Sequence, residues 1–226
     1  YRRTFPDPRP ALTGAGRDER RVLLHFGAVD YLCETWVNGK RVGEHTGGYL
    51  PFTFDITEAL AAGENELVVS VWDPTDAGLQ QRGKQVLRPK GIWYTAVSGI
   101  WQTVWLEGVP AVSVQSLMLT PDLDNQIIGV QVQIRGDAET ELLRLEAEAY
   151  ASGERVAGGA GAADGELKLT IPELRAWSPA DPYLYDLRVR LVCGEKVLDE
   201  VESYFAMRKF ELQQDAQGHP RVALNG

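Results

Sequence analysis

Cysteine is scarce in this 226-residue chain: only Cys33 and Cys193 occur, each inside an apolar, strand-like run. They fall on opposite sides of the domain boundary argued below. Two buried free thiols are therefore expected rather than a disulfide, which fits a reducing compartment such as the cytoplasm. Histidine numbers three, and His25, His45 and His219 stand apart with no metal-ligand spacing around them, so neither a metal nor another cofactor is implied. No run of 18 apolar residues exists, which leaves nothing to span a membrane as a helix. The glycine-rich stretch 158–165, GGAGAADG, lacks the Lys-Ser/Thr of a phosphate loop and reads as a mobile turn. No Ser/His/Asp set sits on a recognisable elbow. The acidic residues are scattered through strands and turns, with no carboxylate pair recognisable for acid/base work.

An excess of positive charge is missing too. The net charge is −9, and residues 1–110 carry 12 Lys/Arg against 13 Asp/Glu, while residues 111–226 carry 11 against 19. An acidic second half argues against nucleic acid as a partner and provides a solvated surface.

What is abundant is turn chemistry between short apolar runs, with 23 Gly and 12 Pro. The stretch 28–57, AVDYLCETWVNGKRVGEHTGGYLPFTFDIT, organises the first half. A strand at 29–37 runs into Asn38-Gly39, the strongest short hairpin signal, because both central residues of a type I′ turn need positive φ. A return strand at 40–45 follows, Gly47-Gly48 breaks the chain, and a third strand at 50–56 sets Phe52, Phe54 and Ile56 on one face. Further strands are expected at 1–5, at 20–26 with Val22, Leu24 and Phe26 inward, at 66–72 with Leu67, Val69 and Val71 inward, and at 99–107. On that last strand Trp101 and Trp105 share a face and are expected to fill core. Seven or eight such strands make an all-β jelly-roll sandwich at 1–110.

Gly108-Val109-Pro110 is the boundary. A second set at 112–119, 126–134, 142–150, 156–160, 167–171, 185–192 and 197–205 fits an immunoglobulin-like β-sandwich at 111–213, without the Cys…Trp…Cys pattern of antibody domains. No helix is required, and one short helical turn fits at 57–62. Tyr1 begins in strand character with no Met and no signal-like segment, so the natural N-terminus is expected upstream and a cleaved signal peptide stays open. The terminal Asn225-Gly226 is a second hairpin turn with its return strand absent, which implies a longer protein.

The long irregular segment 72–99 is where chemistry is expected, since a loop of that length in a compact sandwich is functional or disordered. It carries the rings Trp93 and Tyr94 and the cations Arg82, Lys84, Arg88 and Lys90, with no acidic residue from 77 to 99. Flat rings stack on sugar faces, and the donors of Arg, Lys and Gln85 suit hydroxyls or carboxylates. The alternative is that the rings plug the end of the sandwich and the cations are solvated surface.

The hairpin WVNGxxVGxHxGGYxPFxFDIT at 36–57 resembles the N-terminal sugar-binding domain of glycoside hydrolase family 2, the family of β-galactosidases, β-glucuronidases and β-mannosidases. SGIWQTVWLE at 98–107 is similar to the family's SGI-aromatic-R-x-V-x-L signature, with Gln102 where many relatives carry Arg. AWSPADPYLYDL at 176–187, YFAMRKFEL at 204–212 and the closing LNG extend the likeness, with Ala206 and Met207 where Gly is frequent. Packing under the proline-rich bend accounts for Trp177 and Tyr185 without a ligand. The resemblance implies that residues 214–226 begin a catalytic (β/α)8 barrel of the same parent chain, and that the catalytic glutamates lie beyond Gly226. It implies that the parent hydrolyses terminal β-linked sugars with retention, and that the 73–98 loop lends side chains to the sugar pocket. Asp76 is then the best match to the acidic residue that relatives place there, with Asp73 the competing choice. The candidate pocket rim is thus Asp76, Arg82, Lys84, Gln85, Trp93 and Tyr94, with carbohydrate as the ligand and no catalytic residue in the fragment. Two alternatives stay open: a free-standing carbohydrate-binding module, and a structural piece mediating contacts in a homo-oligomer.

Overall fold

The computed structural model describes residues 1–11, 20–137 and 139–226. Contacts divide the chain into two compact units, Tyr1–Pro110 and Ala111–Gly226. The first contains β1 (Arg2–Pro6), β2 (Arg20–Phe26), β3 (Val29–Asp30), β4 (Leu32–Val37), β5 (Lys40–Thr46), β6 (Phe52–Asp55), β7 (Glu64–Trp72), β8 (Gln85–Val86), β9 (Tyr94–Thr95), β10 (Gly99–Ile100) and β11 (Val104–Pro110). Antiparallel pairing gives one sheet of order β1-β7-β4-β5 and another of order β11-β2-β6. Alternation along the strands sends Val22, Leu24 and Phe26 of β2, Cys33 and Val37 of β4, Val69 of β7 and Ile56 into one shared core. A fully buried side chain of this kind contributes about 1.5–3 kcal/mol. The result is a β-sandwich.

The Asn38-Gly39 turn forms with φ of 51° and 77°. Asn38 also ties the turn to its neighbours. Its Nδ2 donates to Ala59 O at 2.9 Å and to Asn65 Oδ1 at 2.7 Å, and its Oδ1 accepts the Glu66 N–H at 2.9 Å.

Two strands expected to be continuous are broken, and both breaks matter below. The run 29–37 splits at Tyr31: β3 pairs with β10, whereas β4 pairs with β5 and β7, so the chain changes sheets there. The run 99–107 splits at 101–103 for the same reason. As a consequence Trp101 and Trp105 are not core residues, being 51% and 44% exposed. Ile100 and Val104 take the inward positions. Trp105 stacks on His25 at 4.8 Å, and Trp101 donates its indole N–H to Gly48 O at 2.7 Å.

The second unit contains β12 (Ser113–Asp122), β13 (Ile127–Arg135), β14 (Leu143–Ala151), β15 (Glu154–Ala162), β16 (Leu167–Thr170), β17 (Tyr185–Cys193), β18 (Lys196–Phe205), β19 (Phe210–Gln214) and β20 (Pro220–Leu224). Sheets of order β12-β13-β16 and β15-β14-β17-β18 face each other in the immunoglobulin-like manner around Ile128, Val130, Leu145, Leu169, Leu187 and Leu191. The glycine-rich stretch is a strand for most of its length rather than a turn. Gly158, Gly159 and Gly161 pair with Glu148, Ala147 and Leu145, and a Cβ at Gly159 would come within 3.1 Å of Leu169. Small residues there let the leucines of β16 lie close to the strand.

Beyond the sandwich, β19 and β20 form a hairpin of their own. Asn225, at φ 63°, closes it by exchanging hydrogen bonds with Lys209 and donating to Trp177 O at 2.9 Å. Both cysteines are free. Cys33 is buried, which pushes its thiol pKa up, whereas Cys193, at the end of β17, is only half-buried.

Candidate functional site

The excursion between β7 and β10 is folded by its own acidic and amide side chains. Asp73 accepts the Thr75 N–H at 2.7 Å through one oxygen and the Ser98 hydroxyl at 2.5 Å through the other, which pins the two ends of the loop together. Thr75 is buried at φ 54°, and its carbonyl accepts the Gln80 amide at 2.8 Å. Asp76 accepts the Leu87 N–H at 3.1 Å through its carboxylate and the Arg82 guanidinium at 3.1 Å through its carbonyl. Gln85 Oε1 accepts the Val97 N–H at 2.7 Å. The short strands β8 and β9 pair in parallel, with the Tyr94 N–H on Lys84 O at 2.8 Å.

These bonds distribute the six expected rim residues over separate places. Asp76 and Trp93 line a recess of about 370 Å³ with Val86, Leu87, Arg88 and Lys90. Lys84 and Tyr94 lie together, the ammonium 5.7 Å from the ring centroid. Arg82 is occupied by the Asp76 backbone. Gln85 belongs to a second recess of about 290 Å³, lined also by Asp30, Tyr49, Val97, Ser98 and Trp101. Trp93 and Tyr94 are both exposed, so neither fills the sandwich interior. A larger cavity of about 530 Å³ between the sheets is lined mainly by hydrocarbon, including Phe26, Ile56, Leu67 and Val104, and so offers little for polar chemistry.

Sequence reasoning missed three residues of the second recess. Asp30 is 9% exposed near the start of the 29–37 run, Tyr49 follows the Gly47-Gly48 break, and Trp101 was assigned to core. The available signal was an acidic residue next to the apolar Val29 at the start of the strand. Burial, then the charge of Asp73, raises the Asp30 carboxyl above the ordinary range. Gly48 permits the approach, since a Cβ there would fall 2.5 Å from Asp30 Oδ1. Tyr49 and Trp101, which line the same recess, meet edge to face at 6.0 Å.

A sequence model described as the glycosyl hydrolases family 2 sugar binding domain matches residues 11–110, and a second model of glycosyl hydrolases family 2 matches residues 112–208. The chain belongs to glycosyl hydrolase family 2. Within family 2 it is 31% identical over 217 residues to a β-galactosidase of Leuconostoc mesenteroides, covering 88% of this chain and 20% of that protein. It is 27% identical over 219 residues to a putative β-glucuronidase of Formosa agariphila, covering 92% of this chain and 19% of that protein. The fold matches a β-glucuronidase structure from Ruminococcus gnavus with a TM-score of 0.77 at 23% identity, over 100% of this chain and 38% of that one. The chain therefore spans about a fifth to two fifths of the length of these family 2 relatives. Among the described residues, no three His, Cys, Asp or Glu side chains converge to hold a metal ion.

Proposed function

We propose that the two sandwiches serve a longer family 2 glycosidase that removes terminal β-linked sugars with retention, and that the 73–98 loop shapes the rim of its substrate pocket. The observation that carries this reading is the folded loop itself. Asp73, Asp76 and Gln85 hold the backbone N–H groups of Thr75, Leu87 and Val97, while Trp93, Tyr94, Lys84, Arg88 and Lys90 are exposed. Such a surface suits hydroxyl-rich ligands, where aromatic faces supply contact and fixed donors supply direction.

Retaining hydrolysis requires two carboxyls about 5–5.5 Å apart, one serving as acid/base and one as nucleophile. In this reading a further catalytic domain supplies them, and this chain positions substrate and supports that domain. Arg88 and Lys90, beside Asp76 and Trp93, give the first recess a positive side that suits an acidic sugar or the carboxylates of a catalytic domain. Assay of the 226-residue chain against nitrophenyl β-galactoside, β-glucuronide and β-mannoside is expected to give no turnover above background. Turnover that disappears when a carboxylate of this chain is replaced overturns the reading.

A further inference from the structure

Asp30 is a buried carboxyl without a hydrogen-bonding task. It closes β3, is 9% exposed, and lines the recess together with Tyr49 and Trp101. Among the described residues no hydrogen bond reaches its side chain. The groups around it are by contrast already engaged. Both oxygens of Asp73 are occupied by Thr75 and Ser98, and the Trp101 indole is held by Gly48 O. Gln85 accepts from the Val97 N–H, which can only donate, so the amide orientation is fixed and its NH₂ group remains free to donate. The residue is mostly buried while its carboxylate oxygens stay open to the recess, where a ligand that supplies donors can reach them.

The ligand's chemistry follows from the lining. A carboxylate accepts from two adjacent hydroxyls, the Gln85 amide donates to a third oxygen, and the Tyr49 and Trp101 rings offer apolar faces to C–H groups. About 290 Å³ lies at the lower end of small-molecule sites and accommodates one ring rather than an oligosaccharide. Two neighbouring carboxyls, Asp30 and Asp73, disfavour an acidic sugar. A hard cation needs six or more oxygens, and among the described residues no third acidic ligand converges here.

We propose that the recess of Asp30, Tyr49, Gln85 and Trp101 binds one neutral pyranose, with two adjacent sugar hydroxyls donating to the Asp30 carboxylate. The site deepens the reading of the chain as part of a glycosidase, and it names a sugar contact separate from the recess of Arg88 and Lys90.

The test is titration of the 226-residue chain with methyl β-galactoside, β-glucoside, β-mannoside and β-glucuronide, read by saturation-transfer NMR and calorimetry. At least one neutral glycoside is expected to bind at a single site, and the glucuronide to bind at least tenfold more weakly. Asp30→Asn is expected to weaken the neutral sugar roughly tenfold to a hundredfold, the usual effect of losing charge-assisted hydrogen bonds. It should leave the melting temperature unchanged or higher, so the loss is not unfolding. Tyr49→Ala, at a residue 45% exposed, is expected to weaken binding several-fold without touching the core. No binding of any neutral glycoside, binding indifferent to both substitutions, or saturable calcium binding at Asp30 in place of sugar would each overturn the site. These outcomes are separable from the glycosidase reading, because that reading is tested by turnover of nitrophenyl glycosides by a longer chain carrying the catalytic domain, whereas the recess is tested by what Asp30→Asn and Tyr49→Ala do to binding by this one.

Discussion

Asp30 shows how a single residue's ionisation couples the candidate site to stability. Its pKa is raised by burial and then by Asp73, so the folded chain holds the proton more tightly than the unfolded chain does. For an acid shifted in that direction, stability falls as pH rises from about 3.9, the unfolded value, through the folded value, and the penalty is complete above it. Asp30→Asn removes the ionisation. It is expected to raise the melting temperature of the unliganded chain at pH 7, with the gain vanishing below about pH 3. Thermal melts of both forms across that range check it, and a destabilised variant at pH 7 would show that the carboxylate has a favourable partner. A residue that costs stability and lines a recess is the pattern expected where function and folding compete.

Among the elements, the Asn38-Gly39 hairpin and the 73–98 loop mark opposite ends of what local sequence determines. The hairpin is legible because its two positive φ values are a requirement of the residues themselves. The loop is legible only as a gap in alternation. What folds it is a set of side-chain acceptors contacting backbone donors 11 and 12 residues away, Asp76 with Leu87 and Gln85 with Val97. Partners at such separations leave no periodic trace. Gln85→Ala is therefore expected to speed hydrogen exchange at the Val97 amide several-fold, since one hydrogen bond nets about 1 kcal/mol, while Leu87 remains protected by Asp76. Equal acceleration at Leu87 and Val97 would mean that the loop opens as one unit. The broken strands teach the same lesson: residues 29–37 and 99–107 each read as one continuous strand, yet each changes partners midway.

At the scale of the whole molecule, each unit encloses its own core, around Phe26, Val37 and Ile56 in one and Leu145, Leu187 and Leu191 in the other. Residues 1–110 expressed alone are expected to fold cooperatively, with a single sigmoidal urea transition and dispersed amide resonances. A molten spectrum would show that the boundary at Pro110 cuts through an interdependent structure.

By itself the sequence determined the all-β class, the two sandwiches and the Asn-Gly turn, because period-two alternation and turn residues act locally and are repeated many times along the chain, and its motifs at 36–57 and 98–107 carried the likeness to family 2. Only the tertiary structure decided that Trp101 faces solvent, that Asp30 is mostly buried at the edge of a recess, and that the six expected rim residues divide among separate places. Those outcomes depend on which strand edge each segment finds and on contacts between residues far apart in the chain. Alternation specifies that a strand has two faces; the pairing of sheets decides which of them is covered.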